Sequence, residues 1–186
     1  MSGANGGPGA EPHADPDDDR DRVAVTGTPG TGKTTATAAL DDVAVHHVND
    51  IVTEHGLHEG RDEDRDSLYA DVEAVADHLG DWHGVAESHL AHHLAADRVV
   101  VLRCHPETLR ERLAERGEPE ATVAENAESE ALDVVLTEAV QRHGADHVYE
   151  IDTTDRDPAA VAERIAAVVR GSAEPAVGIV DFTSVL

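Results

Sequence analysis

Gly27-Thr28-Pro29-Gly30-Thr31-Gly32-Lys33-Thr34 fits the spacing G-x-x-x-x-G-K-[ST] in full. The chemistry this pattern offers is polyphosphate binding. Glycines let backbone N–H groups converge on phosphate oxygens. A lysine then reaches the β- and γ-phosphates, and a hydroxyl ligates Mg²⁺. Lys33 is also the sole lysine among 186 residues. A given lysine falls in this frame by chance on the order of once in a thousand. The rigid fork of arginine does not replace a compact ammonium inside such a loop. Retention of Lys at this one position therefore points to nucleotide binding.

A strand must enter this loop and a helix must leave it. Val23–Thr26 (VAVT) reads as a short buried strand and KTTATAAL (33–40) as the helix. Further β-type runs are VAVHHV (43–48), HGVAE (83–87), DRVVVLR (97–103) and DHVYEID (146–152). Helical patterns lie between them over 67–79, 106–117, 120–144 and 157–171. Strands alternating with helices predict an α/β fold, a parallel sheet of about five strands flanked by helices. The chain then divides into an acidic leader (1–21), a P-loop domain (22–171) and a non-helical tail (172–186). Apolar residues of that tail would pack on the domain or on a partner.

The composition bounds the setting. Acidic residues number 39 against 14 basic ones, a formal charge of -25, and aromatic residues make up 2%. The Gly-, Pro- and Asp-rich leader reads as disordered, but the apolar periodicity beyond it predicts a folded protein adapted to high salt. The Debye length shrinks to about 3 Å near 1 M, which screens the self-repulsion such a charge brings. An acidic surface of this kind argues against a broad nucleic-acid face. Cys104 is the single cysteine, so no intramolecular disulfide forms and a cytoplasmic protein is expected. No apolar run approaches a membrane span. A GTPase specificity motif of the N-K-x-D kind would need a second lysine, which the chain lacks.

A P-loop chain of this size resembles the small nucleoside-monophosphate kinases. TGTPGTGKTT, HVNDIV, HGLHEGRDEDRDSLYADVEAVADHL, VAESHLAHHL, VVVLRCHPETLRERLAERG, ENAESEA and the tail GIVDFTSVL together resemble adenylate kinase isoenzyme 6, the coilin-interacting nuclear ATPase family. The likeness is strongest to its haloarchaeal adenylate kinase members and covers roughly residues 22–186. It implies an ATP site at Gly30, Gly32, Lys33, Thr34 and Thr35, and an acceptor segment from His47 to about Tyr69. It also implies a short lid over about 115–125, with Arg116 on the ATP phosphates. Its acid-x-His motif falls on Glu87-Ser88-His89. The implied substrates are ATP and AMP or another nucleoside monophosphate. The implied partners are a small-subunit ribosomal protein and the pre-ribosome.

Glu87 ends a buried strand, where a carboxylate needs a partner. Mg²⁺ held through water would supply one, with Thr34 as the other ligand. His89 is a candidate proton relay or water-orienting group. His89, His92 and His93 also share spacing that could make a zinc site, although thirteen histidines in the chain make accidental spacing common. Arg103 and Arg112 are candidate supports for Arg116, with helix salt bridges to Glu107, Glu111 and Glu115 as the alternative for Arg103, Arg110, Arg112 and Arg116. Asn49 and Asp50 either touch the acceptor or cap the following helix. Arg61 and Arg65 are the cations left to grip an acceptor phosphate.

Overall fold

The computed structural model describes residues 21–62 and 67–185. The leader expected over 1–21 lies outside the described residues except for Asp21. So do Glu63, Asp64, Arg65 and Asp66 of the segment expected to bind the acceptor, and the side chain of Arg61.

The chain opens with β1 (Arg22–Thr26), α1 (Lys33–Thr37), β2 (Val45–His47), α2 (Val48–His55), β3 (His58–Asp62), β4 (Ser67–Ala70) and α3 (Val72–Leu79). It continues through β5 (Gly84–Glu87), β6 (Arg98–Arg103), α4 (Pro106–Glu115), α5 (Glu120–Ala131), α6 (Val134–His143), β7 (Val148–Asp152) and α7 (Pro158–Val169). Five strands pair in parallel in the order β2-β5-β1-β6-β7. All five strands expected from the sequence are these five.

The continuous apolar character of β1 and β6 follows from cover on both faces. Val23, Val25, Val100 and Leu102 face α1 and α7, where Ala36, Val161, Ile165 and Val168 complete the cluster. Ala24, Val99 and Val101 point the other way, against Leu136 and Ala139 of α6. Ala86 of β5 meets Val48 and Val52 of α2, Val75 of α3 and Trp82. With so few aromatic residues the core is a Val, Leu, Ile and Ala core, as the composition required.

Two helix expectations are corrected. The pattern over 67–79 is helical only from Val72; residues 67–70 are β4, antiparallel to β3. Leu68 and Ala70 pack inward while Tyr69 is exposed, a period of two that a helical stripe conceals. The Asp71 carboxylate accepts from the Ala74 N–H at 3.0 Å and so starts α3 after the hairpin. The pattern over 120–144 breaks into α5 and α6 at Asp133, which takes a left-handed φ of 55°. The tail runs beside β7, where Ala176 bridges Tyr149, and Phe182 is buried. Among the described residues no helix is long and apolar enough to cross a membrane.

Candidate active site

The register pairs Val25 with Glu87. The loop leaving β1 and the carboxylate ending β5 therefore emerge side by side, at the C-terminal sheet edge where ligands of open α/β folds bind. The loop keeps its shape because two glycines admit no side chain. A Cβ on Gly27 would stand 2.5 Å from the Leu102 carbonyl oxygen, and one on Gly30 would stand 2.7 Å from Leu109 Cδ1. Both also have positive φ, 143° and 94°.

Lys33 is buried, and its Nζ donates to the carbonyls of Gly27 at 2.8 Å and Thr28 at 3.1 Å. Burial pushes its pKa down to about 8, with Arg116 adding to the effect and Glu87 and Glu130 opposing it. Thr31 Oγ1 donates to the Thr28 carbonyl at 2.9 Å. Thr153 Oγ1 lies 2.9 Å from the Thr31 carbonyl, tying the loop to the end of β7.

Thr34 Oγ1 lies 3.3 Å from each carboxylate oxygen of Glu87. Glu87 is 5% exposed, and His47 Nδ1 lies 3.0 Å from its Oε2. A hydroxyl and a carboxylate beside one another, both hard oxygen donors, fit Mg²⁺ with water completing the octahedron. His89 follows two residues on, half-buried, with its pKa pushed down to about 4 by burial and then by Lys33, His92 and His93. Its imidazole is neutral at neutral pH.

Lys33, Thr34, Glu87 and His89 open on one cleft of about 1480 Å³. That exceeds the roughly 300–1,000 Å³ of a single-ligand pocket. Gly30, Gly32, Lys33, Thr34, Thr35, Glu87, His89 and Arg116 all line it, so the structure brings the expected site residues together. Asn49, Tyr69, Asn126, Glu138 and Arg142 line it as well. The short turn after α4 carries Arg116, exposed and without an acidic partner among the described residues.

Four sequence expectations are corrected here. Arg103 does not support the phosphates. It is 1% exposed and turned into the core, where it donates to Glu130 at 2.7 Å, to Glu150 at 2.6 Å and to Asp133. Arg112 does not line the cleft and forms no helix salt bridge among the described residues; it donates to the carbonyls of Thr153 and Thr154, each at 3.0 Å. Neither Asn49 nor Asp50 caps α2, whose cap position is His47; the Asn49 Oδ1 instead accepts from Ser88 at 2.9 Å. His89 does not join the other two histidines, and Glu138 takes its place beside them.

Arg142 and Glu138 were not singled out by sequence reasoning. They lie one turn apart on α6, and the packing of α6 against β6 and the turn at residues 91–93 brings them to the cleft.

A family model described as "AAA domain" matches residues 23–133. A protein of Natronomonas pharaonis named "Putative adenylate kinase" is 63% identical over 164 residues, covering 87% of this chain and 98% of that protein. A Halobacterium salinarum protein of the same name is 59% identical over 165 residues, again covering 87% and 98%. One from Methanothermobacter thermautotrophicus is 44% identical over 166 residues, with 87% and 96% covered. In fold, the chain is similar to the shikimate kinase of Acinetobacter baumannii, at a TM-score of 0.59 and 15% identity over 83% of this chain and 96% of that one. The shikimate kinase of Bacteroides thetaiotaomicron gives 0.55 and 17% over 80% and 98%. The chain belongs to the archaeal family that carries the adenylate kinase name, and it is a P-loop phosphotransferase.

Proposed function

We propose that the chain transfers the γ-phosphoryl group of ATP to AMP, or to another nucleoside monophosphate, with Mg²⁺ as the metal. The observation that carries this reading is the position of Lys33. Its ammonium sits on the loop's own carbonyls beside the Thr34–Glu87 pair, and all three residues line one cleft of about 1480 Å³.

Phosphoryl transfer asks mainly for positioning and charge neutralisation. Lys33 would exchange the Gly27 and Thr28 carbonyls for β- and γ-phosphate oxygens, and Gly30, Gly32 and Thr35 would supply backbone and side-chain donors around them. Thr34 and Glu87 would hold Mg²⁺, which when bound neutralises charge on the β- and γ-oxygens. Arg116 would stabilise charge on the moving group. A phosphate oxygen of the acceptor forms the new bond to the γ-phosphorus as its bond to the bridging oxygen breaks, and ADP leaves. A neutral His89 can orient the acceptor or a water by hydrogen bonding without adding charge.

The acceptor would sit toward Asn49 and Tyr69, the lid would be the turn at Arg116, and the setting would be the cytoplasm of a salt-adapted cell. The relatives' name and the size of the cleft support AMP as acceptor. Product analysis with ATP, Mg²⁺ and each nucleoside monophosphate in turn tests this. Preferential ADP formation with AMP supports it, and equal phosphate release with and without any acceptor contradicts it.

A second reading has its own observation. The tail is anchored by the Ile179 N–H, which donates to Glu150 at 2.8 Å, yet the side chains of Val177 and Ile179 are exposed. Together with the resemblance to isoenzyme 6, this supports an ATPase whose nucleotide state governs binding of a small-subunit ribosomal protein within the pre-ribosome. Loss of such a partner on Ile179→Asp, with ATP turnover kept, would favour it.

A further inference from the structure

The segment after β5 and the middle of α6 bring three chemically matched atoms together. His92 Nε2 lies 3.0 Å from Glu138 Oε2, and His93 Nε2 lies 3.9 Å from the same oxygen. One ligand atom from each residue lies within 4.8 Å of the other two. Bond lengths of about 2.0–2.1 Å in a tetrahedral zinc site set neighbouring ligand atoms about 3.3 Å apart. The two observed separations bracket that value.

The proton assignment around His92 sharpens the point. Thr26 Oγ1 has one proton and two neighbours, the His89 carbonyl at 3.1 Å and His92 Nδ1 at 2.9 Å. A carbonyl only accepts, so both contacts are satisfied when Thr26 donates to His89 and His92 donates from Nδ1. That tautomer turns the bare lone pair of Nε2 toward the Glu138 carboxylate. Two acceptors face each other at 3.0 Å and call for a cation between them. The Nδ1–H to Thr26 bond is also the kind of outer-shell contact that orients metal-ligating histidines. His143 Nε2 donates to the His92 carbonyl at 2.7 Å, so α6 holds this turn at a second point.

We propose that His92, His93 and Glu138 form a binding site for a borderline divalent transition ion, Zn²⁺ foremost. Two imidazoles and a carboxylate are a donor set for such an ion and a poor one for Mg²⁺. All three residues line the cleft, so the fourth position opens toward it and remains free for water or a ligand atom. Through Thr26 the ion would also steady the backbone at His89.

The test is calorimetric titration of the chelator-treated full chain with Zn²⁺ in a concentrated, chloride-free potassium salt, followed by the visible absorption of the Co²⁺ form. Glu138 and His93 are partly exposed, so Glu138→Gln and His93→Gln leave the fold in place, checked by circular dichroism. Wild type should take up one equivalent with a four-coordinate Co²⁺ spectrum, and each variant should bind more than about tenfold more weakly. Glu87→Gln, at the separate Mg²⁺ position, should bind Zn²⁺ as wild type does. Absence of saturable uptake overturns the proposal. So does uptake unchanged in both variants, or uptake lost in Glu87→Gln alone.

Discussion

Thr28 Oγ1 donates to Glu130 Oε2 at 2.5 Å, which ties the phosphate loop to α5 from a distance of 102 residues. The other oxygen of Glu130 accepts from Arg103 at 2.7 Å and from the Cys104 N–H at 3.1 Å. Arg103 passes the connection to Glu150, and Glu150 to the tail at Ile179. The Phe182 ring lies 5.3 Å from the same guanidinium. A loop that must hold phosphates is thereby buttressed by a buried charge network reaching the C-terminal segment.

Breaking that network should unfold the domain more readily. Glu130→Ala leaves the Arg103 Nε, the Thr28 hydroxyl and the Cys104 N–H without their acceptor. Removal of one partner from a buried ionic network costs about 3–5 kcal/mol. Chemical denaturation should register a loss of that order. A loss below about 1 kcal/mol, the worth of an ordinary hydrogen bond, would contradict the assignment.

Arg116 and Arg112 should separate into chemistry and structure. Arg116→Ala should lower kcat by about 10³–10⁵, the range for an arginine serving phosphoryl transfer, with little change in nucleotide binding. Arg112→Ala removes the bonds to Thr153 and Thr154, so it should lower the unfolding midpoint and reduce kcat less. Steady-state kinetics with an unfolding curve for each variant decides this. Equal loss of turnover and binding in Arg116→Ala would remove it from the transferring step.

The depressed pKa of Lys33, about 8, gives a pH profile with a definite sign. Below that value the ammonium is charged and ready for phosphate; above it the free enzyme loses the charge. The kcat/KM profile, which reports the free enzyme, should fall as pH rises through about 8. Bound phosphates favour the charged form, so the corresponding limb of kcat should move upward. For the nucleotide-free fold the effect runs the other way. The unfolded lysine holds its proton to about 10.4, so this group adds stability as pH rises between the two values. A flat kcat/KM profile to pH 10 would contradict the assignment.

The net charge of -25 predicts salt dependence. As the Debye length grows from about 3 Å at 1 M to about 10 Å at 0.1 M, repulsion between surface carboxylates reaches further. Thermal unfolding followed over a KCl series should show the midpoint dropping steadily below about 1 M. A midpoint independent of KCl would sever the charge from salt adaptation.

The loop and the sheet were legible because their signals are local. A β-branched run, a glycine turn and the lone lysine lie within fourteen consecutive residues, and buried parallel strands read as unbroken apolar runs. The hairpin was not legible, since Leu68, Val72, Val75 and Leu79 fit a helical stripe whether or not residues 67–70 join it. The break between α5 and α6 falls on a non-glycine residue in left-handed conformation, which no local signal marks. Arg103 and Arg112 were misread for a different reason. Their partners lie at Glu130, Glu150 and Thr153, so their roles follow from tertiary packing and not from spacing. Glu138 was missed on the same ground.

The central claim is that Lys33 and its loop move phosphate from ATP to a nucleotide acceptor. The direct measurement is product analysis in about 3 M KCl, where screening is strong, with Mg²⁺ and ATP, with and without AMP, for wild type and Lys33→Ala. The account predicts ADP formation that depends on AMP, two ADP for each ATP consumed, and its loss in a Lys33→Ala variant that stays folded. Inorganic phosphate release indifferent to AMP, or turnover that survives Lys33→Ala, would contradict it.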